Sequence, residues 1–84
     1  MKYQVRIIPS AEKEMDKLPA LIHRRISRKI LLLEDNPRPR GAKKLSDREE
    51  YRLRAGDYRV LYTINGKGHM VTVFAVGHRR EVYR

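Results

Sequence analysis

The stretch Tyr51-Arg52-Leu53-Arg54-Ala55-Gly56-Asp57-Tyr58-Arg59 decides the fold, because it reads as two strands joined by a two-residue turn. Strand side chains alternate between faces, so Arg52 and Arg54 share one side while Tyr51, Leu53 and Ala55 share the other. Gly56-Asp57 suits a tight hairpin loop, and a two-residue loop there sets Ala55 opposite Tyr58 and Arg54 opposite Arg59. The face with Tyr51, Leu53, Val60 and Tyr62 is predicted to pack on helices, and the opposite face carries Arg52, Arg54, Arg59 and Leu61. Like charges facing each other across a ladder destabilise it. A sheet that gathers three arginines into one patch therefore points to a polyanion, against the plainer reading in which each arginine only solvates an open sheet.

Working outward, strands are predicted at about 51 to 55, 58 to 65 and 69 to 76, the last two joined by the turn-rich Asn65-Gly66-Lys67-Gly68. The register of the last strand depends on that loop, so spacing leaves open which face Phe74 takes. Residues 2 to 8 alternate Lys2, Gln4 and Arg6 with Tyr3, Val5 and Ile7, the pattern of a half-buried strand, which Pro9-Ser10 ends. Ser10 is the expected N-cap of a short helix running to about Leu18, with Glu12 and Glu14 in its first turns and Ala11, Met15 and Leu18 at helical spacing. Pro19 breaks that helix and opens a second, whose Ile22, Ile26, Ile30 and Leu33 fall on one face, with Arg24, Arg25 and Arg28 on the far side. Leu21, Leu31 and Leu32 lie off the main stripe. Asn36-Pro37 closes the second helix, and polar residues 37 to 50 read as a connection. The order predicts an α+β fold: an N-terminal strand, two helices, then a three-stranded antiparallel meander with the helices on one face.

Eighty-four residues suffice for one domain, in which roughly 60% of the unfolded surface is buried. Twenty Lys and Arg against ten Asp and Glu give a formal net charge of +10, enough on so small a body to attract nucleic acid or another anionic partner. Cysteine is absent, which excludes a disulfide framework and a thiolate zinc site, and His23, His69 and His78 are too scattered for a metal spacing. No metal or cofactor is expected. The start lacks the apolar stretch of a signal peptide, and Ile30 to Leu33 is far shorter than a membrane span, so a soluble cytoplasmic protein without membrane contact is predicted.

Cleavage of an RNA phosphodiester needs a deprotonated 2′-hydroxyl, stabilisation of the charge on a pentacoordinate phosphate, and a proton for the leaving oxygen. No carboxylate pair suggests itself here. Instead, guanidiniums able to grip phosphate oxygens bidentately stand near Gly77-His78-Arg79-Arg80-Glu81-Val82-Tyr83, a second basic block. Arg52 and Arg54 remain protonated and suit charge stabilisation rather than base catalysis. In the two blocks only His78 could serve as acid or base near neutrality without a large shift. The run Arg24 to Lys29 reads first as a solvated helix face and second as a nucleic-acid contact.

Tyr-Arg-Leu-Arg-Ala-Gly-Asp-Tyr-Arg-Val-Leu-Tyr at 51 to 62, followed by Val-Gly-His-Arg-Arg-Glu-Val-Tyr at 76 to 83, resembles the RelE family of bacterial and archaeal toxins. Asn36-Pro37-Arg38-Pro39, Gly41 and Lys43-Lys44-Leu45 add to the resemblance, which spans nearly the whole chain. It implies a toxin of a type II toxin-antitoxin system that cuts mRNA in the ribosomal A site and stops translation. By that resemblance Arg59 would hold the scissile phosphate, Arg79 would stabilise or protonate the leaving group, and Tyr83 would orient the substrate. Arg52 and Arg54 stand where well-studied members carry lysines, so the general base stays open, and His78, where some members have lysine, is a candidate for a share in proton transfer. Lys43, Lys44 and Arg80 are candidate substrate-binding residues.

The resemblance also implies an acidic antitoxin that wraps the toxin, with Leu21, Leu31 and Leu32 as candidates for that contact or for internal packing. Only the complex with antitoxin is expected to bind operator DNA. The main rival is a ParE-like toxin, which shares the fold but poisons DNA gyrase. A noncatalytic nucleic-acid-binding module is the third reading, and it predicts steep salt dependence without turnover.

Overall fold

A computed structural model of the chain describes residues 2–45 and 49–78. Its elements run β1 (Gln4–Ile7), α1 (Pro9–Asp16), α2 (Ala20–Leu32), β2 (Ala42–Leu45), β3 (Glu50–Ala55), β4 (Tyr58–Asn65) and β5 (Met70–His78). The β3–β4 hairpin has the expected register, with Ala55 opposite Tyr58 and Arg54 opposite Arg59. Gly56 supplies a φ of 63° at the first turn position and Asp57 keeps a negative φ, the pattern of a type II′ turn that twists with its strands. Around the hairpin a five-stranded sheet forms in the order β1-β5-β4-β3-β2. Every neighbouring pair is antiparallel except β1 and β5, which are parallel.

Both helices cover one face of this sheet. Ala11 and Met15 from α1 and Ile26, Ile30 and Leu33 from α2 and its cap form one buried cluster with Leu53, Val60, Tyr62, Ile64, Val71, Val73 and Val76. These strand residues share a face by register, and the helical ones recur at three and four residues, so the two periodicities meet in a single core. The first helix starts two residues earlier than expected: Pro9 occupies its first turn and Ile8 the cap position in place of Ser10, with no side-chain cap. Proline at the first helical position forfeits only an N–H that has no intrahelical partner and has φ already set for a helix, so Ser10 falls inside the helix and is not its cap. Pro19 caps α2, and Leu21, Leu31 and Leu32 are exposed.

Two further features lie beyond the sequence reading. The connection expected over 37 to 50 contains an edge strand, β2, which pairs antiparallel with β3. Its four residues carry two adjacent lysines and no apolar alternation, so nothing in the pattern marks it, although lysine on an edge strand is how sheets resist further pairing. In β5, Leu61 faces Ala75 while Tyr62 faces Val73, which leaves Phe74 as the extra residue of a β-bulge. The phase of alternation shifts there by one residue. Val71 and Val73 point to the helices, and beyond the bulge Val76 does so too.

Candidate nucleic-acid interface

The sheet face away from the helices is built from transverse rows of side chains. One row runs Lys43, Arg52, Leu61 and Ala75 across β2 to β5, and the next runs Arg54, Arg59 and Gly77 across β3 to β5. Neighbouring strands lie about 4.8 Å apart and alternate residues about 6.7 Å apart, so these four cations form one compact patch. Glu50 shares the face, two residues along β3 from Arg52. None of the ion pairs among the described residues involves Lys43, Arg54 or Arg59.

Arg59 is the most unusual member. It is only 5% exposed, although it lies on the face without helices. Its Nη1 donates two long bonds to the hairpin carbonyls of Gly56 (3.4 Å) and Tyr58 (3.3 Å), while Nε has no hydrogen-bond partner. Leu61, also buried and absent from the helix-side cluster, adjoins it in the neighbouring row. A guanidinium buried with one nitrogen held and another unpaired is uncommon, since buried donors rarely stay without an acceptor.

The hairpin end receives further positive charge from α2. Lys29 Nζ donates to the Arg54 carbonyl at 2.9 Å. Arg25 Nη1 lies 3.8 Å from the position that a Cβ on Gly56 would take. The helix run Arg24 to Lys29 is therefore joined at one side to the arginine-bearing hairpin.

Not every candidate converges on this patch. His78 pairs with Tyr58, whose ring it meets edge-on at 5.6 Å, so its side chain lies on the helix side and not with Arg59. The bulge causes this, because it moves Gly77 opposite Arg59 and turns the next residue over. Lys44 also leaves the patch: it pairs with Tyr51 on the helix side and forms an ion pair with Glu49 at 3.3 Å. Arg79, Arg80 and Tyr83 lie outside the described residues.

Lys44 belongs instead to a polar cluster that the sequence reading missed. Arg38 Nε donates to the Tyr51 hydroxyl at 3.0 Å, that hydroxyl donates to Glu49 at 3.2 Å, and Arg38 also pairs with Glu49 at 3.7 Å. The Tyr51 and Tyr62 rings stack at 5.7 Å, and the Tyr62 hydroxyl donates to the Pro37 carbonyl at 2.8 Å. The available signal was two tyrosines at apolar positions, whose hydroxyls need partners when buried. The Lys44 ammonium, and next the Tyr51 hydroxyl, hold the Glu49 carboxyl below its usual range, and burial pushes the Tyr62 phenol up to about 12. Arg38 and Glu49 also line an open cleft of about 570 Å³ with Ile64, Asn65, Gly66 and Lys67.

Comparison with known proteins places this arrangement in a family. Residues 5–83 match the family of the ParE toxin of the type II toxin-antitoxin system parDE. An Escherichia coli protein designated RelE-like toxin is 33% identical over 83 residues, covering 96% of this chain and 87% of the relative. The RelE–RelB complex of Pyrococcus horikoshii superposes with a TM-score of 0.82 at 31% identity, covering 98% of this chain and all (100%) of that one. A doubly substituted Escherichia coli RelE in the free state gives 0.82 at 28% identity, covering 99% and 92% of the two chains. With the family match spanning nearly the whole chain and the RelE fold reproduced strand for helix, the chain belongs to the RelE/ParE superfamily and is a toxin of a type II toxin-antitoxin system.

Proposed function

We propose that this toxin is a metal-independent endoribonuclease that cuts mRNA in the ribosomal A site in the cytoplasm, and that a cognate acidic antitoxin neutralises it. The observation that carries the reading is the patch of Lys43, Arg52, Arg54 and Arg59 in two adjacent rows of the sheet face without helices. In the reaction the 2′-hydroxyl loses its proton, the O2′–P bond forms, the P–O5′ bond breaks, and the 5′-oxygen takes up a proton. Negative charge on the equatorial oxygens peaks between the two bond changes, and fixed guanidiniums stabilise that state more than the substrate. By the family resemblance Arg59 is assigned to the scissile phosphate, with Arg52 and Arg54 reinforcing the charge and Lys43 guiding the strand. Arg79 is assigned to the leaving oxygen, Tyr83 to substrate orientation and Arg80 to substrate binding, all from the family resemblance. His78, on the helix side, takes no part in this scheme, which leaves the base unassigned.

The antitoxin is supported by the net charge of +10 and by relatives solved with theirs, the RelE–RelB complex of Pyrococcus horikoshii and a RelBE complex of Mycobacterium tuberculosis. Operator DNA is assigned to the toxin-antitoxin complex and not to the toxin alone. Gyrase poisoning is the second reading, favoured by the match to the ParE family.

The deciding experiment adds purified protein to a translating extract, maps mRNA ends by primer extension with and without ribosomes, and runs a gyrase supercoiling assay beside it. Ribosome-dependent cuts that vanish in Arg59→Ala support the nuclease. Intact mRNA together with trapped supercoiling activity refutes it, and salt-sensitive RNA binding without new ends would make the chain a binding module.

A further inference from the structure

We infer that Glu14 is a positioning residue: its carboxylate replaces a missing strand neighbour and fixes the last residues of β5 against Arg59. The inference rests on the proposed cleavage reading for its catalytic consequence, though not for its geometry.

β5 outruns its parallel neighbour. Pairing with β1 ends at Ile7 opposite Val73, and one further bond runs from the Ile8 N–H to the Val73 carbonyl at 3.1 Å. There the chain turns out of the sheet into α1 at Pro9, while β5 continues five residues to His78. The bulge at Phe74 begins where β1 leaves off. A strand that loses its neighbour exposes backbone N–H groups, which require other acceptors.

Glu14 meets that need. Its Oε1 accepts the Val76 N–H at 3.2 Å, a contact between residues 62 apart in sequence. Met15, the next residue of α1, is buried in the core, so the helix carrying Glu14 is anchored against the sheet. Val76 is itself buried opposite Val60, and the residue after it, Gly77, is the cross-strand partner of Arg59. The bond therefore fixes β5 one residue away from the guanidinium assigned to the phosphate. Glu14 touches no substrate in this scheme. It acts by holding in place the strand that forms one wall beside Arg59.

The test compares Glu14→Ala, which removes the acceptor, with Glu14→Gln, which keeps a carbonyl oxygen at the same reach. The first readout is amide hydrogen exchange at Val76 and Gly77, together with the Arg59 Nε–H resonance, none of which needs any cleavage activity. Glu14→Ala should speed Val76 exchange about tenfold, as expected for one lost charge-assisted bond at a partly exposed position, and should move the Arg59 signal; Glu14→Gln should restore most of both. The second readout is cleavage in the translating extract, where Glu14→Ala should lower kcat about tenfold with KM unchanged and Glu14→Gln should recover it. Unchanged Val76 exchange in Glu14→Ala, or equal damage from both variants, would overturn the tether. Wild-type-like cleavage by a Glu14→Ala protein whose exchange has risen would overturn the positioning role. A wild-type protein that cuts no RNA removes the cleavage reading instead, and the exchange and Arg59 signals then decide the tether by themselves.

Discussion

Replacing Arg59 with methionine should stabilise the protein while abolishing the proposed cleavage. The side chain is 95% removed from solvent, its Nε is unpaired, and it faces Arg54 directly across the hairpin. An unsatisfied buried donor costs about 1–3 kcal/mol, and a like-charged cross-strand pair about 0.2–1 kcal/mol. Against this stand the bonds from Nη1 at 3.3 and 3.4 Å, both beyond the usual N–H···O range, whose loss should cost about 1 kcal/mol together. Methionine fills a similar apolar volume without a donor, so a net gain of about 1 kcal/mol is expected. With an unfolding entropy of about 2.1 cal/mol/K per residue over 84 residues, that gain raises Tm by about 6 °C. Urea unfolding should show a higher midpoint with an unchanged slope, and adding salt should stabilise wild type more than the variant, because it screens the Arg54–Arg59 repulsion. A variant destabilised by 1 kcal/mol or more would show that the guanidinium is fully satisfied where it lies, and would refute its assignment as a waiting phosphate ligand.

Adjacent lysines should behave differently: Lys43→Gln should weaken single-stranded RNA binding and reduce its log–log salt slope by about 0.7, whereas Lys44→Gln should leave both unchanged in a filter-binding salt series. Glu49 has its folded-state pKa depressed, chiefly by Lys44, so the stability it contributes is present above its unfolded value near 4.5 and is lost as pH falls through the lower folded value. Acid titration of Glu49→Gln followed by circular dichroism should accordingly show a shallower loss of stability below pH 4.5 than wild type. Tyr62 is the opposite case: with its pKa raised to about 12, its contribution is complete below pH 10 and disappears as pH rises from 10 to about 12. Phenolate absorbance should show one late-ionising tyrosine that Tyr62→Phe removes.

The hairpin was legible because a glycine at the first turn position fixes its register locally, and a period of two then assigns every side chain of β3 and β4 to a face. The second helix was equally legible, since Ile22, Ile26, Ile30 and Leu33 needed only helical spacing to be placed. Parity failed where the ladder is irregular. Phe74 is an extra residue in β5, and from sequence no rule tells a bulge from a regular strand, so the faces of Phe74 and His78 stayed out of reach. Strand β2 was invisible because four residues with two central lysines carry no periodic signal. The alternation placed Arg59 on the patch but could not give its burial, which depends on what lies over the sheet and not on the order of residues along it. The Arg38–Tyr51–Glu49 cluster depends on contacts between segments 11 to 13 residues apart, beyond the range of local pattern.

The cations on the strands are sorted by parity, and on the cleavage reading the sorting matters. Lys43 and Lys44 are adjacent in sequence, yet one joins the arginine patch and the other reaches the Glu49 carboxylate on the helix side. Glu49 thereby pairs with Arg38 and Lys44, both outside the patch, and offsets one of their two charges, while Lys43, Arg54 and Arg59 keep their mutual repulsion. That repulsion raises the energy of the free toxin. A bound anion relieves it in proportion to its own charge, so the relief grows as a phosphodiester bearing one negative charge approaches a pentacoordinate state bearing about two. An internal carboxylate paired with Arg54 and with Arg59 would have relieved the strain beforehand and erased the difference between substrate and transition state. On the cleavage reading, the like charges of Arg54 and Arg59, paired across the hairpin, therefore contribute to the rate, and an acidic antitoxin that supplies carboxylates to these two residues would inhibit the toxin by discharging them even where it blocks no path to the patch.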